Sequence, residues 1–311
     1  EINKARTTFI ESILKFSYRG RIHADIHQMR SDAGGTVTGR FSYSNPNLQQ
    51  IPARHAILGP LIRSIFVPEK NCEWGIFDYS QQEPRLVVHY ASLQEFTGAS
   101  KFLDTYEEED TTDFHQLVAD IANIPRKQAK TINLGLFYGM GKGKLMSQLG
   151  LNQEDAEDLL ADYHERVPFV KQLMKDTMYK AGKKGFLRTL RGRKCRFDMW
   201  EPKTFGVHKA LPLKEAANEY GDQMIKRAWT YKALNRLIQG SAADQTKQAM
   251  LNLSKEGYLA HIQVHDELDF SIASDKDADR IKEIMETCVE DLIVPSKVDV
   301  ERGPNWGEAG K

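Results

Sequence analysis

The chain is most constrained by where its strands fall. An apolar run over residues 72–78 reads as one strand, and 258–264, 267–273 and 297–301 read as three more, with a helix over 276–291 before the last. Between the first strand and the others stand long helical patterns over 153–182 and 208–256. Strands gathered in this way, not alternating one for one with helices, give an α+β order and exclude a βαβ repeat. With 311 residues, 41% of them apolar, the chain can bury a core of one large or two ordinary domains, which excludes a disulfide mini-scaffold and a disordered tail.

Forty-three basic residues balance 43 acidic ones, so a polyanionic partner has to be held by local clusters and not by an overall field. Cys72, Cys195 and Cys288 are odd in number and lack C-x-x-C spacing, which points to reduced thiols in a cytosol-like compartment and away from a zinc site. No apolar run reaches the length of a membrane span, and a signal-peptide layout is missing at the start, so a soluble protein is expected. The chain opens at Glu1 directly in helix-like sequence, which suggests the C-terminal part of something longer.

Residues 1–18, with Ile2, Phe9, Ile13 and Phe16, predict a helix ended by a turn at Gly20, then an extended stretch over 21–29. Segment 31–60 is rich in Gly, Ser, Asn and Pro, and so long a loop in a compact chain points to function. Pro84 suits the first turn of a helix that carries Leu86, Val87, Tyr90 and Leu93. Glu107, Glu108, Glu109 and Asp110 predict a solvated loop, with a helix from Thr112 onward. Another helix begins at Pro125, reaches Tyr138 and stops at Gly139, Gly141 and Gly143, while Gly182, Gly185 and Gly192 punctuate a short β ribbon.

Arg126, Lys130, Leu134 and Tyr138 recur every four residues along one slowly drifting helix face. No acidic residue stands between Arg126 and Gln153, so Arg126, Lys127, Lys130, Lys142 and Lys144 are uncompensated locally; a solvated face and an anion-binding helix both fit. Arg at a helix start opposes the dipole, which weighs against a purely stabilising role. Asp78 follows an apolar strand and precedes a helix, where it serves either as a helix cap or as a metal ligand. In His261-Ile262-Gln263-Val264-His265-Asp266-Glu267-Leu268-Asp269-Phe270, one uninterrupted strand would put Asp266 in an apolar row. Either a hairpin turn at His265 to Glu267 exposes it or a cation compensates it, and the two are compatible. Lys180, Lys183, Lys184, Arg188, Arg191, Arg193, Lys194 and Arg196 place eight cations in 17 residues without an acid, interleaved with Phe186 and Phe197. Such a run is a solvated face or a set of contacts to a phosphate backbone. Asn235 and Gln239, with Gly240, are buried hydrogen-bonding groups or readers of base edges.

In this order the segments resemble the polymerase region of family A DNA polymerases, the group of bacterial DNA polymerase I and many phage replicases. Thr38-Gly39-Arg40-Phe41-Ser42 with Asn45-Pro46-Asn47-Leu48-Gln49-Gln50-Ile51-Pro52 resembles the first motif, and Asp78-Tyr79-Ser80-Gln81-Gln82-Glu83 resembles motif A. Residues 126–139 resemble motif B, and Gln239-Gly240-Ser241-Ala242-Ala243-Asp244 followed by Val264-His265-Asp266-Glu267, similar to motif C, completes the set. The resemblance implies an α+β right-hand fold with an antiparallel-sheet palm and helical fingers. Residues 1–18 would end a largely missing thumb, 19–111 and 231–311 form the palm, and 112–230 form the fingers.

The implied activity is template-directed addition of deoxynucleotides to a primer 3′-hydroxyl, with pyrophosphate released and two Mg²⁺ ions held by Asp78, Asp266 and the carbonyl of Tyr79. Glu267 is then a secondary carboxylate. The resemblance also implies that His115, Arg126 and Lys130 contact the triphosphate, with Lys130 as the candidate acid for the leaving group. Glu83, packed against Tyr138 and preceded by Gln81 in the nucleotide site, would exclude a ribose 2′-hydroxyl. Arg40, Asn235, Gln239 and His265 would touch primer-template DNA. A monomer in the cytoplasm of a bacterial or phage-infected cell, with no membrane partner, is expected.

The sequence departs from the family pattern at Leu134, where Phe or Tyr is common and whose Leu is associated with phage members, at Gln82 and Pro84 beside Glu83, and at Tyr231. A single-subunit RNA polymerase is the enzymatic rival, disfavoured by Glu83. A non-catalytic nucleic-acid-binding module is the rival from another class, disfavoured because both carboxylates and the Arg126, Lys130, Tyr138 face are present.

Overall fold

The computed structural model of the chain describes residues 5–31, 34–52, 55–138, 140, 142–204 and 206–309, the side chains of residues 5, 8 and 142 excepted. Two compact units result: Glu1–Gln82 with Ala242–Leu292 and Ser296–Lys311, and Glu83–Ser241 with Ile293–Pro295.

The first unit is built on four antiparallel strands, β1 (Glu73–Tyr79), β2 (Ile262–Val264), β3 (Glu267–Ile272) and β4 (Val298–Gly303), in the order β2-β3-β1-β4. Period-two alternation sorts their side chains. Phe77, Tyr79, Leu268, Phe270, Ile272 and Val298 are buried on one face, where Phe77 meets Phe270 edge to face at 5.5 Å. The helix Asp275–Thr287, capped by Ser274, buries Ala278, Ile281, Ile284 and Met285, and the Tyr79 hydroxyl donates to the Met285 carbonyl at 2.8 Å. Each large side chain so buried contributes about 2 kcal/mol. On the opposite face Trp74, Ile76 and Ile262 pack with Tyr43, Leu48, Ile62 and Trp306, and this apolar floor gives way at its edge to carboxylates.

The helix expected over 1–18 is described from Ala5 and is shorter. It is wound as a π-helix over Ala5–Glu11 and as an α-helix over Ser12–Lys15. Arg19 and Gly20 both take positive φ, 51° and 76°, the twist of a two-residue hairpin turn, so Ser17–Tyr18 pairs with Arg21–Ile22.

The second unit is mostly helical. Phe102, Phe114, Phe137 and Phe169 form its aromatic centre, with ring centroids 4.9 to 6.1 Å apart. Glu107 and Glu108 are not in a loop: they end the helix Ala99–Glu108, whose Phe102 and Tyr106 are buried while the acids stay exposed. The pattern over 153–182 is two helices, Gln153–Arg166 and Pro168–Lys184, because Pro168 has no N–H to carry the ladder across. The pattern over 208–256 is broken further. Helices cover Leu213–Tyr220 and Ala233–Lys255, and between them Gly221 and Trp229, at φ 86° and 58°, bound a short strand, Ile225–Arg227, paired with Met199–Pro202. Gly139 and Gly141, two of the expected helix stops, lie outside the described residues. No helix among the described residues is long and apolar enough to cross a membrane.

Candidate active site

The hairpin alternative is the one the first unit adopts. His265 and Asp266 alone make the turn between β2 and β3, with His265 at φ 58°, and Glu267 already pairs with Val264. The turn reverses parity, so Ile262 and Val264 face one side of the sheet and Leu268 and Phe270 the other. Asp78 is not a helix cap. It lies within β1, paired with Glu267 on one side and Asp299 on the other, and the next helix starts at Gln82.

Register therefore lines up three carboxylates, Glu267, Asp78 and Asp299, across adjacent strands on one face, with Asp269 and Glu301 in the row after next. Burial first, then the charges of Asp266, Glu267, Asp299 and Glu301, pushes the Asp78 carboxyl well above the usual carboxylate range. Burial also raises Asp266, opposed by Arg40 and His265. Asp269 is fully buried and is raised by that burial and by Glu267 beside it. Glu267 is fixed by the Trp306 indole, which donates to its Oε1 at 3.2 Å, and Arg63 lies over the Trp306 ring at 4.3 Å. Asp299, Glu301 and Asp269 were not singled out from sequence; the alternation Val298, Asp299, Val300, Glu301 was the available signal.

Among the described residues no three His, Cys, Asp or Glu side chains gather closely enough to enclose a metal ion. Two carboxylates and a main-chain carbonyl nevertheless suit Mg²⁺, which keeps several waters and needs one or two carboxylates plus substrate phosphates. The crowding of anions around Asp78 fits an arriving cation.

Around this turn the first motif is tied to the sheet. Gly39 takes φ 84°, the Thr36 hydroxyl donates to the Arg40 carbonyl at 2.9 Å, and the Tyr43 hydroxyl accepts the Gln263 N–H at 3.3 Å. Arg40 and His265 come together with Phe41, Lys247 and Gln263 around one small dimple, and Lys247 lies over the Phe41 ring at 4.5 Å. Gln82, one of the departures, is buried, and its amide donates toward the Ala242 carbonyl, Gln245 Oε1 and Thr246 Oγ1 on the long helix at 3.2 to 3.4 Å. Gln81 next to it is half-buried at φ 54°.

In the second unit, the helix Arg126–Phe137 buries Ala129, Ile132, Asn133, Gly135 and Phe137, which leaves Arg126, Lys130 and Tyr138 exposed and Leu134 half-buried on the other face. Arg126 is not uncompensated. Its guanidinium donates through Nε to Asp113 Oδ2 at 2.9 Å and through Nη2 to the same oxygen. Sequence reasoning missed this because Asp113 precedes Arg126 by 13 residues. Asp113 Oδ1 meanwhile accepts the N–H groups of His115 and Gln116 at 2.8 and 3.2 Å and so caps the helix Phe114–Ala122. Burial opposes ionisation of Asp113, but Arg126 and these N–H groups hold its carboxyl below the usual range.

His115 is buried beside them. Its Nδ1 accepts from Asn133 Nδ2 at 3.0 Å, and Asn133 Oδ1 accepts from the Tyr163 hydroxyl at 2.5 Å. With Nδ1 so occupied, the proton of the neutral ring sits on Nε2. Burial pushes the His115 pKa down to about 4, helped by Lys130 and Arg126 and opposed by Asp113. Glu83 is half-buried in the first turn of Gln82–Ser92. Asn235 and Gln239 are half-buried one turn apart on Ala233–Lys255.

The basic run forms the expected ribbon, Phe186–Arg188 paired with Lys194–Arg196. Part of its charge is engaged inside the protein: Lys180 with Asp176 at 2.6 Å, and Arg193 with the Gly240 carbonyl at 2.9 Å. Phe197 is core, whereas Phe186 lies beneath Arg188 and Lys194 at 5.8 and 4.8 Å. Lys183, Lys184, Arg188, Arg191, Lys194 and Arg196 are exposed.

The four-stranded antiparallel sheet with its carboxylate turn fits the palm of a nucleic-acid polymerase, the class that the motif order resembles. The model of DNA polymerase family A matches residues 1–308, and the chain belongs to that family. It is 38% identical to a DNA-directed DNA polymerase of Pseudomonas phage M6 over 99% of this chain and 50% of the relative. It is 34% identical to DNA polymerase I of Geobacillus stearothermophilus over 99% of this chain and 34% of the relative. Among solved structures, the POL domain of Pol1 from M. smegmatis, in complex with DNA primer-template and dNTP, matches with a TM-score of 0.76 and 28% identity, over 99% of this chain and 52% of that one. The chain thus spans about half the length of its phage relative.

Proposed function

We propose that this chain carries template-directed DNA polymerase activity, adding deoxynucleotides to a primer 3′-hydroxyl with release of pyrophosphate. The observation that carries the reading is the Asp266 turn set beside Asp78 by sheet register, in a chain of family A. Asp78 and Asp266 would hold two Mg²⁺ ions, with the Tyr79 carbonyl assisting. When bound, such ions lower the pKa of the attacking hydroxyl and neutralise the triphosphate. Glu267, held by the Trp306 indole and paired with Asp78 across the sheet, would be a secondary carboxylate beside the ligands.

Lys130, exposed and without an ion-pair partner among the described residues, offers an ammonium to the phosphates and a proton to the departing pyrophosphate. Arg126 and the Nε2–H of His115 offer further donors. Glu83 and Tyr138 would exclude a 2′-hydroxyl by occupying its space, and Arg40, His265, Asn235 and Gln239 would read the shape of the primer-template. Residues 112–230 would form the fingers, 19–111 and 231–311 the palm, and 1–18 the end of the thumb. A monomer acting in the cytoplasm of a bacterial or phage-infected cell is the setting this reading supports.

The test is single-turnover extension of a labelled primer-template with excess protein, Mg²⁺ and low salt, which preserves phosphate contacts. Deoxy-selective extension that is lost in Asp266→Asn is expected. Equal extension by the variant would overturn the metal assignment, and absence of extension by the parent chain would overturn the activity for this chain.

A further inference from the structure

Resting on the reading that Arg126 contacts the triphosphate, we infer that Asp113 is a positioning residue for the nucleotide: it holds the Arg126 guanidinium by its side edge and leaves the end edge for a phosphate. Guanidinium has five N–H donors in a planar fork. Asp113 Oδ2 takes those of Nε and one of Nη2, so both donors of Nη1 and one of Nη2 remain, the pair of groups that grips an oxyanion in two places.

The carboxylate is itself held. Its other oxygen caps the helix Phe114–Ala122 through two N–H groups, so the anchor of Arg126 is a helix terminus and not a mobile side chain. The helix Arg126–Phe137 starts without a side-chain cap or an acidic residue in its first turn, and Arg126 there opposes the dipole. Asp113 supplies the missing negative charge. The same residue connects two phosphate-facing groups, since the N–H of His115 is one of those it binds. A long side chain that is 48% exposed is thereby ordered before any ligand arrives, which removes an entropic cost from binding.

Asp113→Asn separates this role from capping. Its amide oxygen still accepts the two helix N–H groups, while its NH₂ faces the guanidinium and cannot hold it. Equilibrium binding of dATP with Mg²⁺ to the 311-residue chain is measured for the parent, Asp113→Asn, Arg126→Ala and the double variant, with thermal unfolding of each alongside. The expected result is a Kd raised about five- to tenfold by Asp113→Asn, an unfolding midpoint little changed, and a double variant no weaker than Arg126→Ala alone. Unchanged or tighter binding by Asp113→Asn, with Arg126→Ala weakened, overturns the inference, the tighter case meaning that Asp113 competes with the phosphates. Unchanged binding by Arg126→Ala overturns the underlying assignment of Arg126 as well. Additive losses in the double variant also overturn the inference, because the two residues then act separately.

Discussion

Asp299 stands directly across the sheet from Asp78, and the two carboxylates face the same side of it. Like charges at directly opposed positions of an antiparallel pair are destabilising. Glu267 repeats the arrangement on the other edge of β1. The sheet therefore holds its carboxylate face at a local disadvantage that positive charge relieves.

Asp299→Asn is expected to raise stability in the presence of a chelator by about 0.5 kcal/mol, as one of the opposed charges is removed. Urea midpoints of the two proteins at pH 9, where the raised Asp78 carboxyl is ionised, check this. Adding millimolar Mg²⁺ is expected to raise the midpoint of the parent, since a ligand bound only by the folded state stabilises it. A variant less stable than the parent in chelator would contradict the electrostatic reading of the row.

Asp78→Asn and Asp266→Asn are expected to fold normally and to lose nucleotide addition by about a thousandfold or more, because each removes a hard oxygen charge at the proposed metal site. Circular dichroism and single-turnover extension are the paired measurements. A loss of folding together with activity would leave the structural role, not the chemical one, as the explanation.

Glu83→Ala is expected to increase ribonucleotide insertion about tenfold or more relative to deoxynucleotide insertion, with deoxynucleotide kcat/KM falling less. Competition between dATP and ATP opposite a template thymine reads the ratio. An unchanged ratio removes Glu83 from sugar selection.

His115 makes stability depend on pH. Above pH 6.5 its ring is neutral whether the chain is folded or not. Between 6.5 and about 4 the unfolded chain binds a proton that the buried ring does not, so stability falls with pH by up to about 3 kcal/mol across that window. Asp113, whose carboxyl is held low, begins to lose its contribution only below about pH 4. Denaturant midpoints at pH 7 and pH 5 are expected to differ less for His115→Gln than for the parent. An equal difference would assign the pH dependence to other groups.

Much of this was legible in the sequence because it rests on local rules. Apolar patterning marked all four strands, and the cost of burying Asp266 in an apolar row forecast a turn at that point, although burial still raises its carboxyl there. Pro125 and the fourfold spacing located the helix that presents Arg126, Lys130 and Tyr138. What local rules do not carry is register and long-range pairing. Nothing near Asp299 in sequence says that it meets Asp78, and nothing near Arg126 says that Asp113 neutralises it. Pro168 is a local signal for the break at Val167, masked by the helical spacing on either side of it. Gln82 looked out of place beside Glu83 only because its three partners on the long helix lie 160 and more residues away.

The two-residue turn at His265 and Asp266 leaves the chain no slack. One residue inserted between Val264 and Glu267, if β3 kept its pairing with β1, would have to be absorbed as a wider loop; if it shifted β3 by one step, Glu267 and Asp269 would take the places of Leu268 and Phe270. Length variation among related chains is thus expected to be purged from this hairpin and to accumulate in segments such as 31–60, so that the spacing from Ile262 to Ile272 works as a ruler against which divergent sequences can be aligned.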